Sequence, residues 1–199
     1  ISMVTIKQIK ELRGNTGISV MQCKKALEEA GGDLPKAVMI LKKNAGSVAA
    51  KKMGRNLASG VIEAYIHSNN NIGVLLELGC ETDFVAKNKE FKPLAHDIAM
   101  HIAGMYPEYI KEDDIAEDDK KKVTELFTKE VEKSDKPDDI KKKMLEGKIQ
   151  GYFNERTLVK QKFIKNSDIT IQDLLNDATH KFGEKIEVVR FERFVVGSD

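Results

Sequence analysis

The fold turns on one stretch, Gly60-Val61-Ile62-Glu63-Ala64-Tyr65-Ile66-His67, then Asn69-Asn70-Asn71, then Ile72-Gly73-Val74-Leu75-Leu76-Glu77-Leu78-Gly79. Two runs suited to strands flank an Asn-rich reversal, the pattern of a β-hairpin. The second run leads into Cys80-Glu81-Thr82-Asp83-Phe84-Val85-Ala86-Lys87-Asn88. Beyond it Phe91, Leu94, Ala95, Ile98 and Ile102 recur at helical spacing, with Asn88 as the expected cap and Gly104 and Pro107 at the end. A turn between a strand and a helix is exposed as a rule, and exposed turns on a rigid scaffold often carry function. An acid beside a large ring, Asp83-Phe84, suits insertion into a pocket of another protein. On the residues alone the plainer reading is that Phe84 plugs the core and Asp83 caps the next helix.

Toward the amino terminus the chain reads as three short helices. Ile6, Ile9 and Leu12 share a face, and Gly14 with Gly17 ends that helix. Ser19-Val20-Met21-Gln22 fits a capping box, followed by Val20, Cys23, Leu27 and Ala30 on one face and a stop at Gly31-Gly32. Asp33 caps a third helix with Pro35 in its first turn and Leu34, Ala37, Val38 and Leu41 as its apolar face. Residues 3–45 therefore read as a small three-helix module. Residues 46–58 are small, basic and glycine-containing, and read as a linker with some helix at either end.

Downstream, two charged helices carry Val123, Leu126, Phe127 and Val131, then Ile140, Met144, Ile149, Tyr152 and Phe153. They are joined by Ser134-Asp135-Lys136 and are expected to pair as a projecting antiparallel hairpin over about 112–156. A helix over 171–182 and a strand from Lys185 to Val195 close a core domain of residues 59–199. The fold class is α+β.

Composition narrows the functions. The 33 basic and 32 acidic residues nearly cancel, to a formal charge of +1. A protein that grips a nucleic-acid backbone needs a basic surface, so dedicated nucleic-acid binding is not expected. Cys23 and Cys80 make neither a disulfide framework nor a metal site. A reduced, cytoplasmic protein is expected, with no membrane segment, no metal and no cofactor. Met3 reads as an initiator preceded by two added residues, Ile1-Ser2. His96 and His101 stand five apart, whereas helical zinc pairs prefer four, so a surface or packing role is expected for both. Acids beside Cys80 would raise its thiol pKa, which disfavours catalysis. No phosphate-binding or dinucleotide motif is present, so direct nucleotide binding is not expected.

Three ordered blocks carry a resemblance. The first comprises Lys10-Glu11-Leu12-Arg13, Thr16-Gly17, Cys23-Lys24-Lys25-Ala26-Leu27 and Gly31-Gly32-Asp33. The second is the hairpin with its Thr82-Asp83-Phe84-Val85 turn. The third is Thr170-Ile171-Gln172-Asp173-Leu174-Leu175 with Arg190-Phe191-Glu192-Arg193-Phe194. Together they span almost the whole chain, and the sequence resembles the bacterial elongation factor Ts family in its short form. Gln22 stands where members commonly have an acid.

The resemblance implies a nucleotide-exchange factor for the GTPase elongation factor Tu, and not an enzyme. It implies that the amino-terminal module resembles the ubiquitin-associated fold. It further implies that Thr82, Asp83, Phe84 and Val85 enter a groove of the GTPase near the nucleotide's magnesium and shift the structure holding that ion. Lys10, Val20, Met21 and Lys24 match family positions that meet the GTPase domain. Long members have a core of two related halves and this chain has one, which implies a homodimer and a two-plus-two assembly. The alternatives are a ubiquitin-associated-like adaptor for peptides, or an RNA-binding protein acting through residues 42–55.

Overall fold

The structure, a computed structural model, describes residues 4–197. The reading of Ile1-Ser2 and Met3 lies outside these residues. Helices and antiparallel strands share the chain, the α+β class expected.

Helix α1 (Ile6–Thr16) opens with a capping box the sequence reading missed: the Gln8 amide donates to the Thr5 hydroxyl and the Gln8 side chain accepts the Thr5 amide at 2.9 Å. It runs through Gly14 and stops at Gly17 alone, whose φ of 68° is the left-handed conformation that ends helices. Helix α2 (Val20–Glu29) keeps half of its expected box. Ser19 Oγ accepts the Gln22 amide at 3.4 Å, but the Gln22 carbonyl takes the Ser19 hydroxyl, not the Ser19 amide. Asp33 caps α3 as expected, accepting the Lys36 amide at 2.9 Å. Leu12, Ile18, Cys23, Leu27, Ala37 and Leu41 bury together in a cluster of their own.

Helix α3 (Leu34–Lys52) corrects the linker reading. It does not break near residue 46 but continues without interruption, and its second half packs on α8 (Ile171–Phe182). The cause lies in the same small residues that suggested a linker. Alanine has the highest helix propensity, and Ala45, Ala49 and Ala50 keep the helix going. Gly46 faces the Asn176 side chain of α8, with room for a Cβ at 3.9 Å from it. Only Met53–Ala58 separate this helix from the sheet.

Strands β1 (Ser59–Ile66) and β2 (Ile72–Cys80) form the expected hairpin, and β5 (Glu187–Val195) pairs antiparallel on the far side of β2. Val74, Leu76 and Leu78 point inward against Phe91, Ile98 and Ile102 of α5 (Phe91–Met105). Gly60 faces Gly79 across the hairpin, and a Cβ there would collide with the Leu78 carbonyl. The opposite face of the sheet carries Ile62, Ala64, Ile66, Leu75 and Phe194 toward solvent. Asn88 does not cap α5. Its side chain accepts the Glu90 amide at 2.9 Å, forming a turn one step earlier, and Glu90 holds the cap position with no side-chain bond.

Helices α6 (Glu117–Glu132) and α7 (Asp138–Arg156) pair as the hairpin expected. Ile115, Val123 and Phe153 bury together, with Phe127, Ile149 and Tyr152 packed around them. Leu126 is exposed, not part of that face. The base is fixed by the Glu108 and Tyr109 amides, both donating to the Arg156 carbonyl. A two-strand element, β3 (Lys162–Phe163) with β4 (Asn166–Thr170), had no counterpart in the sequence reading.

A candidate partner-binding turn

The segment after β2 is one helical turn, α4 (Asp83–Ala86), with Thr82 before it. Four residues are too few for a stable isolated helix. The turn is held at two points. Val85, 3% exposed, is part of the main core. At the other end Thr82 and Glu81 are fastened to Glu184, in the loop after α8. Thr82 Oγ1 donates to the Glu184 carboxylate at 2.6 Å, and the Thr82 and Glu81 amides donate to it at 3.0 and 3.1 Å.

Between these anchors Phe84 projects into solvent, 80% exposed. It does not plug this protein's core. Nor does Asp83 cap α5: its carboxylate accepts from Nζ of Lys87, the C-cap residue of α4, at 2.6 Å. That lysine holds the Asp83 carboxyl below its ordinary range, first through the hydrogen bond and then through charge. Asp83 also sits in the first turn of its helix, where a negative charge is favourable. The Asp83-Phe84 tip is thus an exposed ring beside an ionised carboxylate.

Of the expected contact residues in this turn, Thr82, Asp83 and Phe84 are exposed and Val85 is not. Val85 can hold the tip in place but cannot touch another surface while it stays packed.

The amino-terminal set divides between helices. Val20, Met21 and Lys24 lie at the start of α2, half-exposed, 82% exposed and exposed respectively. Lys24 makes a loose pair with Glu28 at 3.7 Å. Lys10 is exposed on α1. Val20 and Lys24, four apart, share one helix face, and Met21 extends it.

Neighbouring groups that could suggest other chemistry are engaged elsewhere. Burial, and secondarily Glu184, pushes the Cys80 thiol up, and its hydrogen is directed at the Thr82 carbonyl at 3.2 Å. His96 Nδ1 meets Glu63 at 3.0 Å. His101 is fully buried, with Nδ1 accepting the Ile164 amide at 3.2 Å and Nε2 on the Gln161 carbonyl at 2.9 Å. Among the described residues no group of three His, Cys, Asp or Glu side chains is placed to hold a metal ion. No helix among them is long and apolar enough to cross a membrane.

The whole chain has relatives among known proteins. A profile of the family described as Elongation factor TS matches residues 42–198. The chain is 48% identical over 195 residues to Elongation factor Ts of Carboxydothermus hydrogenoformans, covering 98% of this chain and 90% of that protein. The chain belongs to the elongation factor Ts family. It is also 44% identical over 195 residues to Elongation factor Ts of Thermosipho melanesiensis, covering 98% of this chain and all of that protein. A third relative, Elongation factor Ts of Desulforamulus reducens, is 45% identical over 194 residues, covering 98% of this chain and 89% of its own. The resemblance read from the Thr-Asp-Phe turn and its flanking blocks therefore extends over essentially the whole chain. The reading had no means of finding Glu184. It stands 102 positions from Thr82, and nothing local in Gly183-Glu184-Lys185 signals a partner that far away.

Proposed function

We propose that this chain promotes guanine-nucleotide exchange on elongation factor Tu during translation elongation, and that it does so with the tip of its strand-to-helix turn. The observation that carries the mechanism is Phe84, a large apolar ring held out in water between two anchors. A ring held this far from the core is free to enter a partner's surface. Inserted near the GTPase's nucleotide, Phe84 and Asp83 would displace elements that support magnesium. That ion requires near-ideal octahedral geometry, so a small displacement of its surroundings weakens it and the GDP it binds. The protein itself binds no nucleotide and makes or breaks no covalent bond.

Exchange of this kind is linkage. If the factor lowers the GTPase's affinity for GDP by some ratio, GDP lowers the factor's affinity by the same ratio. The complex with nucleotide-free GTPase is therefore the tight one, and GTP dissolves it. Affinity for the emptied state needs a second contact that does not compete with nucleotide. Val20, Met21 and Lys24 on α2, with Lys10 on α1, serve as that anchor. Methionine suits the role because its flexible, polarisable side chain adapts to a facing surface. All of this takes place in the cytoplasm, where the translation machinery works.

The open sheet face supports self-association. Ile62, Ile66, Leu75 and Phe194 lie exposed on the side of the sheet away from α5, beside Glu192 and the Glu77–Arg190 ion pair. Two copies related by a twofold axis would cover this face on each other, sheet on sheet. That face is what a second copy would bury, giving a two-plus-two assembly with the GTPase.

Titrating nucleotide-loaded and nucleotide-free elongation factor Tu with this protein tests the function. Preference for the nucleotide-free form is expected. Equal binding to both forms would contradict an exchange role, since a ligand with equal affinity for two states shifts neither.

A further inference from the structure

We propose that Glu184 is a positioning residue of the exchange turn, an inference that rests on the exchange reading above. The Glu184 carboxylate gathers three donors from the two residues that precede the tip: Thr82 Oγ1 at 2.6 Å, the Thr82 amide at 3.0 Å and the Glu81 amide at 3.1 Å. The bond is reciprocated. The Glu81 carboxylate accepts the Lys185 amide at 2.6 Å and Arg55 Nη1 at 2.9 Å. Lys52 Nζ, at the end of α3, donates to the Gly183 carbonyl at 2.7 Å. The loop 183–185, the turn 81–82 and the end of α3 are thus bound into one unit.

This arrangement has a consequence for the tip. Thr82 stands at the N-cap of α4, yet its hydroxyl makes no capping bond and is committed to Glu184 instead. A threonine at this place would ordinarily cap the helix it precedes. With the cap given up, the orientation of Phe84 depends on Val85 in the core and Thr82 on Glu184. Removing the second anchor leaves the turn to pivot on Val85. The ordering cost then falls on the exchange step, because a tip that is not held in place must be ordered when it enters the partner. Thr82 is exposed and the Glu81 amide only partly buried, so water replaces the lost acceptor and the fold survives. The same unit ties the tip to the end of α3, whose first half contributes Ala37 and Leu41 to the core of the amino-terminal module, so α3 links the elements that carry anchor and wedge.

The test measures release of fluorescent GDP from elongation factor Tu by stopped flow, as a function of factor concentration, for wild type, Glu184→Ala, Glu184→Gln, Phe84→Ala and the Glu184→Ala/Phe84→Ala pair. Glu184→Ala is expected to lower the maximal release rate roughly tenfold, the scale of losing charge-assisted hydrogen bonds. The half-saturating concentration should shift by no more than about threefold, because the α2 anchor is intact. Glu184→Gln should recover most of the rate, since its carbonyl accepts the two amides and its amide donates to the Thr82 oxygen. In the Phe84→Ala background Glu184→Ala should cost little more, because the group it positions is gone. Amide hydrogen exchange of the free protein gives a readout independent of the GTPase: the Glu81 and Thr82 amides should lose protection in Glu184→Ala and keep it in Glu184→Gln. An unchanged maximal rate, a loss fully additive with Phe84→Ala, or no rescue by glutamine would overturn the positioning role. Wild type failing to accelerate GDP release would overturn the exchange reading itself, and the positioning role with it. If Glu184→Ala failed to fold, undiminished protection and rate in a Thr82→Val variant, which lacks the 2.6 Å bond, would overturn the proposal, and a loss of both would support it.

Discussion

Phe84 and Val85 are neighbours in the chain and opposites in environment: the first is 80% exposed and the second 3%. Adjacent positions on one helical turn hold one side chain in solvent and the other in this protein's core. The contrast assigns them different consequences on mutation. Val85→Ala is expected to lower stability by roughly 1–3 kcal/mol, the loss of buried methyl groups and the small cavity left behind. Urea unfolding checks it, and an unchanged midpoint would place Val85 outside the core. Phe84→Ala should move the same midpoint by less than about 0.5 kcal/mol, as surface substitutions do.

Acid should loosen the core through two histidines. Burial holds both His101 and His180 below the ordinary histidine range. His101 accepts the Ile164 amide on Nδ1, which requires the neutral ring. The unfolded chain therefore binds more protons than the folded one below the ordinary pKa of 6.5. Stability is then fully present above that value and falls as pH drops through it. Unfolding free energies measured from pH 7.5 to 5.5 should decline. His101→Gln should lower the midpoint at pH 7.5 and flatten the decline. A slope unchanged by that substitution would show that His101 does not carry the linkage.

The exposed sheet face should govern oligomeric state. Light scattering across protein concentration is expected to show a reversible, non-covalent dimer, with and without reductant. Both cysteines are buried and free, which agrees with independence from reductant. A Leu75→Lys/Phe194→Lys variant places two charges on that face and should be monomeric with an unchanged fold. A dimer that survives those changes would move the interface elsewhere on the molecule.

Much of this architecture was legible in residue order because it is locally encoded. The β1–β2 hairpin follows from alternation on both sides of Asn69-Asn70-Asn71, and Asp33 announces the start of α3 by its cap. What was illegible depends on distant partners or on weak local signals. Residues 46–52 read as a linker because they lack large apolar side chains, yet their alanines favour helix and α8 supplies a neighbour from far along the chain. The β3–β4 element is too short to show alternation. Asn88 was expected as a helix cap because an Asx turn and an N-cap use the same residue type. At the site, Thr-Asp-Phe was readable and its support was not: Glu184 and Arg55 reach the turn from other parts of the chain. Val85 stands with the tip by resemblance, and its packing against α5 and the sheet was not legible from the turn itself.

The central claim is that the exposed ring drives GDP from elongation factor Tu. Stopped-flow release of fluorescent GDP at saturating factor, wild type against Phe84→Ala, with circular dichroism as the control for folding, tests it most directly. The account expects Phe84→Ala to remain folded and to bind through Met21 and Lys24 while releasing GDP at least about tenfold more slowly, the effect of about 1.4 kcal/mol. A folded Phe84→Ala protein that releases GDP at the wild-type rate would contradict it.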